Sequence, residues 1–139
     1  MTRARVRIPE QFPFTWELDV RIDDVNYAGH IGNETVLRFA HEARLRFLKQ
    51  FQLNEMDVGG TGLMMVDAVI VFKSETFYGD RLKIEVATDA FSRFGFDFVY
   101  KITNVNTGKE VARLKTGMVC FDYLERKIAP LSDSFRSLL

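Results

Sequence analysis

Between Phe12 and Ile22 the apolar residues Phe14, Trp16, Leu18, Val20 and Ile22 alternate with Thr15, Glu17, Asp19 and Arg21. A period of two puts every second side chain on one face, so this stretch is expected to be a half-buried strand with a wet polar side. The alternation breaks in Asp23-Asp24-Val25-Asn26-Tyr27-Ala28-Gly29-His30-Ile31-Gly32-Asn33, where two Gly and four Asp or Asn mark a loop dense in functional groups. From about Asn33 to Phe51 the step becomes three and four. Val36, Ala40, Ala43, Phe47 and Phe51 then share one helix face, with Leu37, Arg44 and Leu48 on an adjacent stripe. Asn33 is the expected N-cap, and Glu34 in the first turn suits the positive end of the helix dipole. The spacing of Glu34 to Arg38, Arg38 to Glu42 and Glu42 to Arg46 predicts ion pairs along the polar side.

After Gly59-Gly60-Thr61-Gly62 come four strand-like runs, Leu63 to Ser74, Arg81 to Phe91, Gly95 to Thr103 and Glu110 to Tyr123. Turn signals at Tyr78-Gly79-Asp80, Ser92-Arg93 and Asn104 to Gly108 separate them. No helical pattern interrupts the runs, which predicts antiparallel meander connections. Pro130 ends the sheet, and a short terminal helix is expected within Leu131 to Leu139. The order β-α-β-β-β-β predicts an α+β domain, a five-stranded antiparallel sheet wrapped around one long central helix. One sheet on one helix leaves surface uncovered, so edge-to-edge pairing of two copies is expected.

A chain of 139 residues suits one domain, spanning 1–139. Hydrophobic residues at 47% and charged ones at 27% allow a buried core and exclude disorder. Thirteen Phe, several alternating with polar residues, fit strands lying over a helix. Nineteen basic residues balance nineteen acidic ones, so no global field favours nucleic acid or an anionic membrane. An anionic ligand must be held by local charges. The lone Cys120 has no partner for an internal disulfide, and Met1 to Glu10 is basic without the apolar stretch of a signal peptide, so the expected location is cytoplasmic. No run approaches the roughly 18 apolar residues of a membrane helix. Two His and one distant Cys lack metal-ligand clustering, the glycines at 59, 60 and 62 precede a strand rather than a helix, and no Ser nucleophile elbow is present. Neither a metal nor a separate cofactor is expected.

Asp24-Val25-Asn26-Tyr27-Ala28-Gly29-His30-Ile31-Gly32-Asn33, followed by His41-Glu42-Ala43-Arg44, resembles the 4-hydroxybenzoyl-coenzyme A thioesterase-like branch of the hotdog superfamily. That branch carries Asp-x-Asp-x-x-Gly-His-x-x-Asn and then a helix with Glu-x-Ala-Arg. Phe77-Tyr78-Gly79-Asp80-Arg81-Leu82 resembles its turn between the second and third strands, and Val111-Ala112-Arg113-Leu114 its final strand. The likeness spans roughly Phe12 to Pro130. It implies a hotdog fold that hydrolyses an acyl-coenzyme A to free acid and coenzyme A, with coenzyme A as part of the substrate. It also implies an active site at a homodimer interface, dimers pairing further into tetramers being left open. Two positions depart from the pattern. Asn26 stands where the family has its usual nucleophile or base, and His41 where a Glu often opens the helix tag. The resemblance is to a subgroup that keeps the binding architecture and has altered its catalytic group.

Thioester hydrolysis needs a positioned water, a base, and donors where negative charge grows on the carbonyl oxygen. A helix beginning near Gly32 or Asn33 presents free backbone N–H groups, and the resemblance places the thioester carbonyl there. Gly29 and Gly32, with Ile31 between them, would let backbone approach the substrate. The candidate bases are His30, Asp24, His41 and Glu42, with Asn26 holding the water or the carbonyl through hydrogen bonds. His30 leads because histidine alone changes charge near neutral pH. Each has a plainer role as well: His30 ties a turn to the helix, Asp24 caps a turn, and Glu42 sits in a structural ion pair. His41 faces a pocket only if the helix starts where expected. The coenzyme A phosphates would rest on surface cations, Lys73, Arg81 and Arg93 among them. Phe39, Met64, Met65 and Phe72 are candidates for an acyl channel.

Two other functions compete. A hotdog hydratase carries Asp-x-Asn-Pro-x-His, whereas here Asp24 and His30 are six apart and the Pro is absent. A non-catalytic acyl-thioester binder would account for Asn26 as a lost acid.

Overall fold

The computed structural model describes residues 2–139. The expectations about the extreme N-terminus and the whole-chain domain include Met1, which lies outside them. In chain order the elements are β1 (Phe14–Asp19), a 3-10 turn (Ile22–Asp24), α1 (Asn33–Lys49), β2 (Gly62–Phe72), β3 (Arg81–Asp89), β4 (Gly95–Asn104), β5 (Glu110–Asp122), β6 (Lys127–Ile128) and α2 (Asp133–Arg136). This is the predicted α+β order with a two-residue strand, β6, added beside β5. It is a hotdog fold.

The alternation in β1 is observed, Phe14, Trp16 and Leu18 being half-buried and Thr15, Glu17 and Asp19 exposed. The strand stops at Asp19, before Ile22. Val20 turns its backbone to Gly79 and Asp80 (2.9 and 2.8 Å), and the Asp24 carboxylate accepts the Arg21 N–H at 2.8 Å, winding the next residues into the 3-10 turn. Local side-chain bonding thus overrides the alternating pattern.

All long strands pair antiparallel in the order β1-β3-β4-β5-β2. The meander holds for β3, β4 and β5. It fails for β2, which lies against β5 at the far edge instead of beside β3. The cause is the segment from Lys73 to Asp80, whose backbone bonds to Val111 and then to Ile31 as it crosses the molecule. Such a crossing has no periodicity for the sequence to display.

In α1 most of the expected stripes are buried: Val36, Ala40, Ala43, Phe47 and Leu48 are at most 3% exposed and Arg44 is buried with them, whereas Leu37 is half-buried and Phe51, also half-buried, lies beyond the helix end. Against them lie Leu82, Ile84 and Val86 of β3, Phe98 and Tyr100 of β4, and Ala112 and Leu114 of β5. The Phe47 ring meets Phe14, Phe51 and Phe98 edge to face at 5.9, 5.7 and 5.5 Å. Burying each such ring contributes roughly 1.5 to 3 kcal/mol. The N-cap is Gly32 rather than Asn33, which is already the first helical residue, and no side chain caps it. The helix ends at Lys49, two residues early, because Gln52 takes a left-handed φ of 60° and Leu53 N–H returns to Leu48 O. Of the three predicted ion pairs only Glu42 with Arg46 forms, at 2.8 Å, since Arg38 turns toward Asp24 instead.

Arg44 explains how a cation fits the core. Its Nε donates to Glu55 and its guanidinium to the Tyr100 hydroxyl at 3.1 Å, which lies 2.7 Å from Thr116 Oγ1. Burial works against the Arg44 charge, but Tyr100 and Glu55 hold its proton more firmly than usual. The terminal helix is short and lies within the expected stretch, a single turn with Ser132 Oγ accepting the Phe135 N–H at 3.2 Å.

Candidate active site

The loop between β1 and α1 closes on itself as a tight turn. Asn26 N–H donates to His30 O at 2.9 Å, Gly29 N–H donates to Asn26 O at 3.0 Å, and Asn26 Oδ1 accepts the Ala28 N–H at 2.9 Å. Gly29 has φ +88°, a left-handed conformation that a Cβ would strain. The return leg then pairs with the crossing segment, where Ile31 N–H donates to Thr76 O at 3.1 Å and His30 bridges Phe77. His30 is therefore held on both flanks by backbone pairing, with Ile31 anchored in the core beside it.

The ring of His30 is oriented as well. Its Nδ1 lies 3.0 Å from Ile31 O, and because a carbonyl only accepts, Nδ1 carries the hydrogen. Nε2 faces Glu75 Oε1 at 3.9 Å, and in the neutral ring with Nδ1 protonated it is the nitrogen able to accept a proton. The ring opens onto a cavity of about 270 Å³ whose lining includes His30, Asn33, Phe72, Lys73, Ser74 and Glu75. Asn33 begins α1 at this wall. Among the described residues, the backbone N–H groups of Asn33 and Glu34 have no protein acceptor, as the first amides of a helix do not, whereas Thr35 N–H returns to Gly32 O at 3.1 Å. The unspent amide of Asn33 and the positive helix end thus share one cavity with the His30 ring, while the Glu34 carboxylate lies folded over Gly32 outside its lining.

Of the residues singled out in the sequence, His30, Ile31 and Asn33 line this cavity. Asn26 and Gly29 build the turn behind it. Gly32 is buried at the helix start, where a Cβ would stand 2.6 Å from the Glu34 carboxylate folded over it. Asp24 is frame rather than surface, its side chain being 0% exposed. It accepts the Arg21 N–H, its carbonyl accepts the Thr35 hydroxyl at 3.1 Å, and Arg21 and Arg38 stand 3.6 and 3.7 Å from its carboxylate. One carboxylate oxygen, Oδ1, has no hydrogen-bond partner within the protein.

His41 and Glu42 lie elsewhere. Both line a separate groove of about 620 Å³ against β1, with Trp16 and Phe39. Glu42 pairs there with Arg46, and His41 Nε2 lies 3.4 Å from Glu55. Arg81 is tied to Glu17 and Asp19 across β1 at 3.3 and 3.2 Å, and Arg93 stacks over Phe94, so neither cation reaches the His30 cavity. Lys73 does. Glu75 and Ser74 were not foreseen, because their segment has no pattern and meets His30 only through the crossing that places β2 at the far edge. Cys120 is buried, and burial pushes its thiol above the ordinary range, away from nucleophilic use. Among the described residues, no group of three or more His, Cys, Asp or Glu is arranged to hold a metal ion, and no helix is long and apolar enough to cross a membrane.

Comparison with known proteins finds relatives along most of the chain. A family model described as the thioesterase-like superfamily matches residues 20–139. A 1,4-dihydroxy-2-naphthoyl-CoA hydrolase of Synechocystis sp. is 31% identical over 129 residues, covering 91% of this chain and 94% of its own. A putative esterase of Aquifex aeolicus is 27% identical over 109 residues, covering 77% and 85%. The crystal structure of a Synechocystis 1,4-dihydroxy-2-naphthoyl-CoA thioesterase superposes with a TM-score of 0.81 at 30% identity, covering 90% of this chain and 93% of that one.

Proposed function

The chain belongs to the thioesterase-like superfamily, and on that footing we propose that it hydrolyses an acyl-coenzyme A to the free acid and coenzyme A. The observation that carries this reading is that the His30 ring and the residue with the unspent helix-start amide, Asn33, line one cavity. The thioester carbonyl oxygen accepts a hydrogen bond from the Asn33 amide, where the helix end favours the charge that grows on it. Water attacks the carbonyl carbon while His30 Nε2 takes its proton. The carbon–sulfur bond then breaks, and the same proton passes to the departing thiolate. Glu75 stands where it favours the imidazolium formed between these steps.

Asn26 works as a turn builder, its backbone and side-chain carbonyl oxygens accepting the Gly29 and Ala28 N–H groups. Gly29, Ile31 and Gly32 set the turn and Asp24 braces it. His41 and Glu42 are assigned to the helix surface rather than to the chemistry. The acyl group is read as aromatic, since the Synechocystis matches, in sequence and in structure, act on a naphthoyl thioester by name, and Phe72 offers a ring at the cavity wall.

A homodimer completes the site. Strand β2 is an 11-residue edge with a neighbour on one side only, and Met65, Val66 and Phe72 are 42%, 56% and 50% exposed. An apolar edge of this length is a pairing surface. Phe72 belongs both to that edge and to the cavity, so a second copy paired there would close over the substrate.

The test is release of free thiol from a panel of aliphatic and aromatic acyl-coenzyme A esters. Turnover is expected on at least one aromatic ester. No turnover on any member, by pure folded protein, contradicts the reading. The turn duty of Asn26 also fits a protein that binds the thioester without cleaving it, which would show as saturable binding of an ester that stays intact for hours.

A further inference from the structure

We propose that Arg5, Arg7, Lys73 and Arg113 form the seat for the phosphorylated nucleotide end of coenzyme A, an inference that rests on the thioesterase reading above. In β5 side chains alternate, so Arg113 points away from the core that Ala112 and Leu114 enter, onto the outer face of the sheet. The N-terminal segment runs along that same face. Val6 is buried there at 7% exposure, while Arg5 and Arg7 on either side are exposed. These two arginines, Lys73 and Arg113 line a cavity of about 710 Å³.

Two features give this cavity a ligand. It shares Lys73 with the His30 cavity, so the two cavities adjoin at that side chain. Its charge is also predominantly positive. Glu110 is the carboxylate bonded to Arg113, through two hydrogen bonds, and it offsets one of the four cations. On its other flank the N-terminal segment faces Asp89, Asp97 and Lys115, yet among the described residues neither Arg5 nor Arg7 is in an ion pair with a carboxylate. Guanidinium groups without partners beside a lysine suit phosphate oxygens, which they bind in fork geometry. The volume falls within the usual range for a small-ligand site.

Coenzyme A carries a diphosphate and a 3′-phosphate at the end remote from its sulfur. The arm of an acyl carrier protein carries one phosphodiester and no nucleotide. A cluster of this charge therefore selects coenzyme A as the carrier.

The test compares three carriers of one acyl group, coenzyme A, 3′-dephospho-coenzyme A and pantetheine, on the full chain and on an Arg5→Ala/Arg7→Ala variant. It adds calorimetric binding of adenosine 3′,5′-bisphosphate to both. Both arginines are exposed, so the variant keeps its fold. The bisphosphate is expected to bind the native chain and to bind the variant about tenfold or more weakly, as loss of charged hydrogen bonds implies. KM for the coenzyme A ester should rise by a similar factor, with kcat and the pantetheine ester unchanged. Equal bisphosphate binding by the two proteins, no binding to either, or equal kcat/KM on coenzyme A and pantetheine esters overturns the seat. Bisphosphate binding that behaves as expected while no thioester is cleaved contradicts the hydrolase reading alone.

Discussion

His30 is held by its neighbours' backbone on one flank and by Phe77 on the other, with its ring fixed through Ile31 O. A base fixed in this way is expected to act as one. Asn26 provides the sharper contrast. Its Oδ1 accepts the Ala28 N–H, a duty Asp performs equally well, so Asn26→Asp should leave the turn folded. If His30 removes the proton, that variant gains no rate, whereas a several-fold gain in kcat would mark position 26 as the missing base. Deeper in, Tyr100→Phe deletes the hydroxyl that receives Arg44 and meets Thr116. It should destabilise the protein by about 1–3 kcal/mol, because a buried charged donor loses its partner. Denaturant unfolding with an unchanged m-value would measure it, and a midpoint equal to that of the native chain would contradict the network's importance. At this scale the sequence was informative where partners are contiguous. His30, Ile31 and Asn33 stand within one loop and share the cavity, whereas Glu75 and Lys73 join them only through tertiary pairing, which leaves no local trace.

Helix α1 was legible nearly to its ends, since steps of three and four survive in Val36, Ala40, Ala43 and Phe47 whatever the surroundings. Its caps were not, because Gly32 and Gln52 are set by backbone conformation. Strand β2 shows the same limit. Its residues read as a strand, yet its place beside β5 was not visible, and neither was the register shift between Met65 and Asp67. Asp67 pins that irregularity by accepting from Lys115 Nζ at 2.9 Å and Gly117 N–H at 3.0 Å. The hydrogen bond from Lys115 leads in holding the Asp67 carboxyl below its ordinary value of 3.8. A carboxyl with a depressed folded value stabilises the fold above its unfolded value and loses that contribution as pH falls through the folded one. The pair is exposed, so after screening it contributes only ~0.2–1 kcal/mol. Asp67→Asn should lower Tm by about 1–3 °C at neutral pH, and the difference from the native chain should begin to shrink as pH falls past 3.8 and vanish once the folded carboxyl is protonated. A difference that persists in acid would mean that charge is not the cause.

The whole molecule is one sheet wrapped on one helix, with α1 as the long axis of the core and its first turn opening beside the β2 edge. That geometry leaves an apolar edge that a protomer alone does not cover, and it was foreseeable from the element order. Which strand forms the edge was not. Met65→Asp/Val66→Asp places charge on residues already exposed in the protomer, so it should spare the fold while separating the copies. Sedimentation is expected to give twice the 16.1 kDa protomer mass for the native chain and the protomer mass for the variant, with turnover lost alongside. A native chain that sediments as a protomer with full activity would contradict a site shared between copies.

The most direct measurement is kcat on the best aromatic acyl-coenzyme A for the native chain and His30→Gln. The variant should fall about 10²- to 10⁴-fold while keeping its circular dichroism. A folded variant with the native rate would contradict the account.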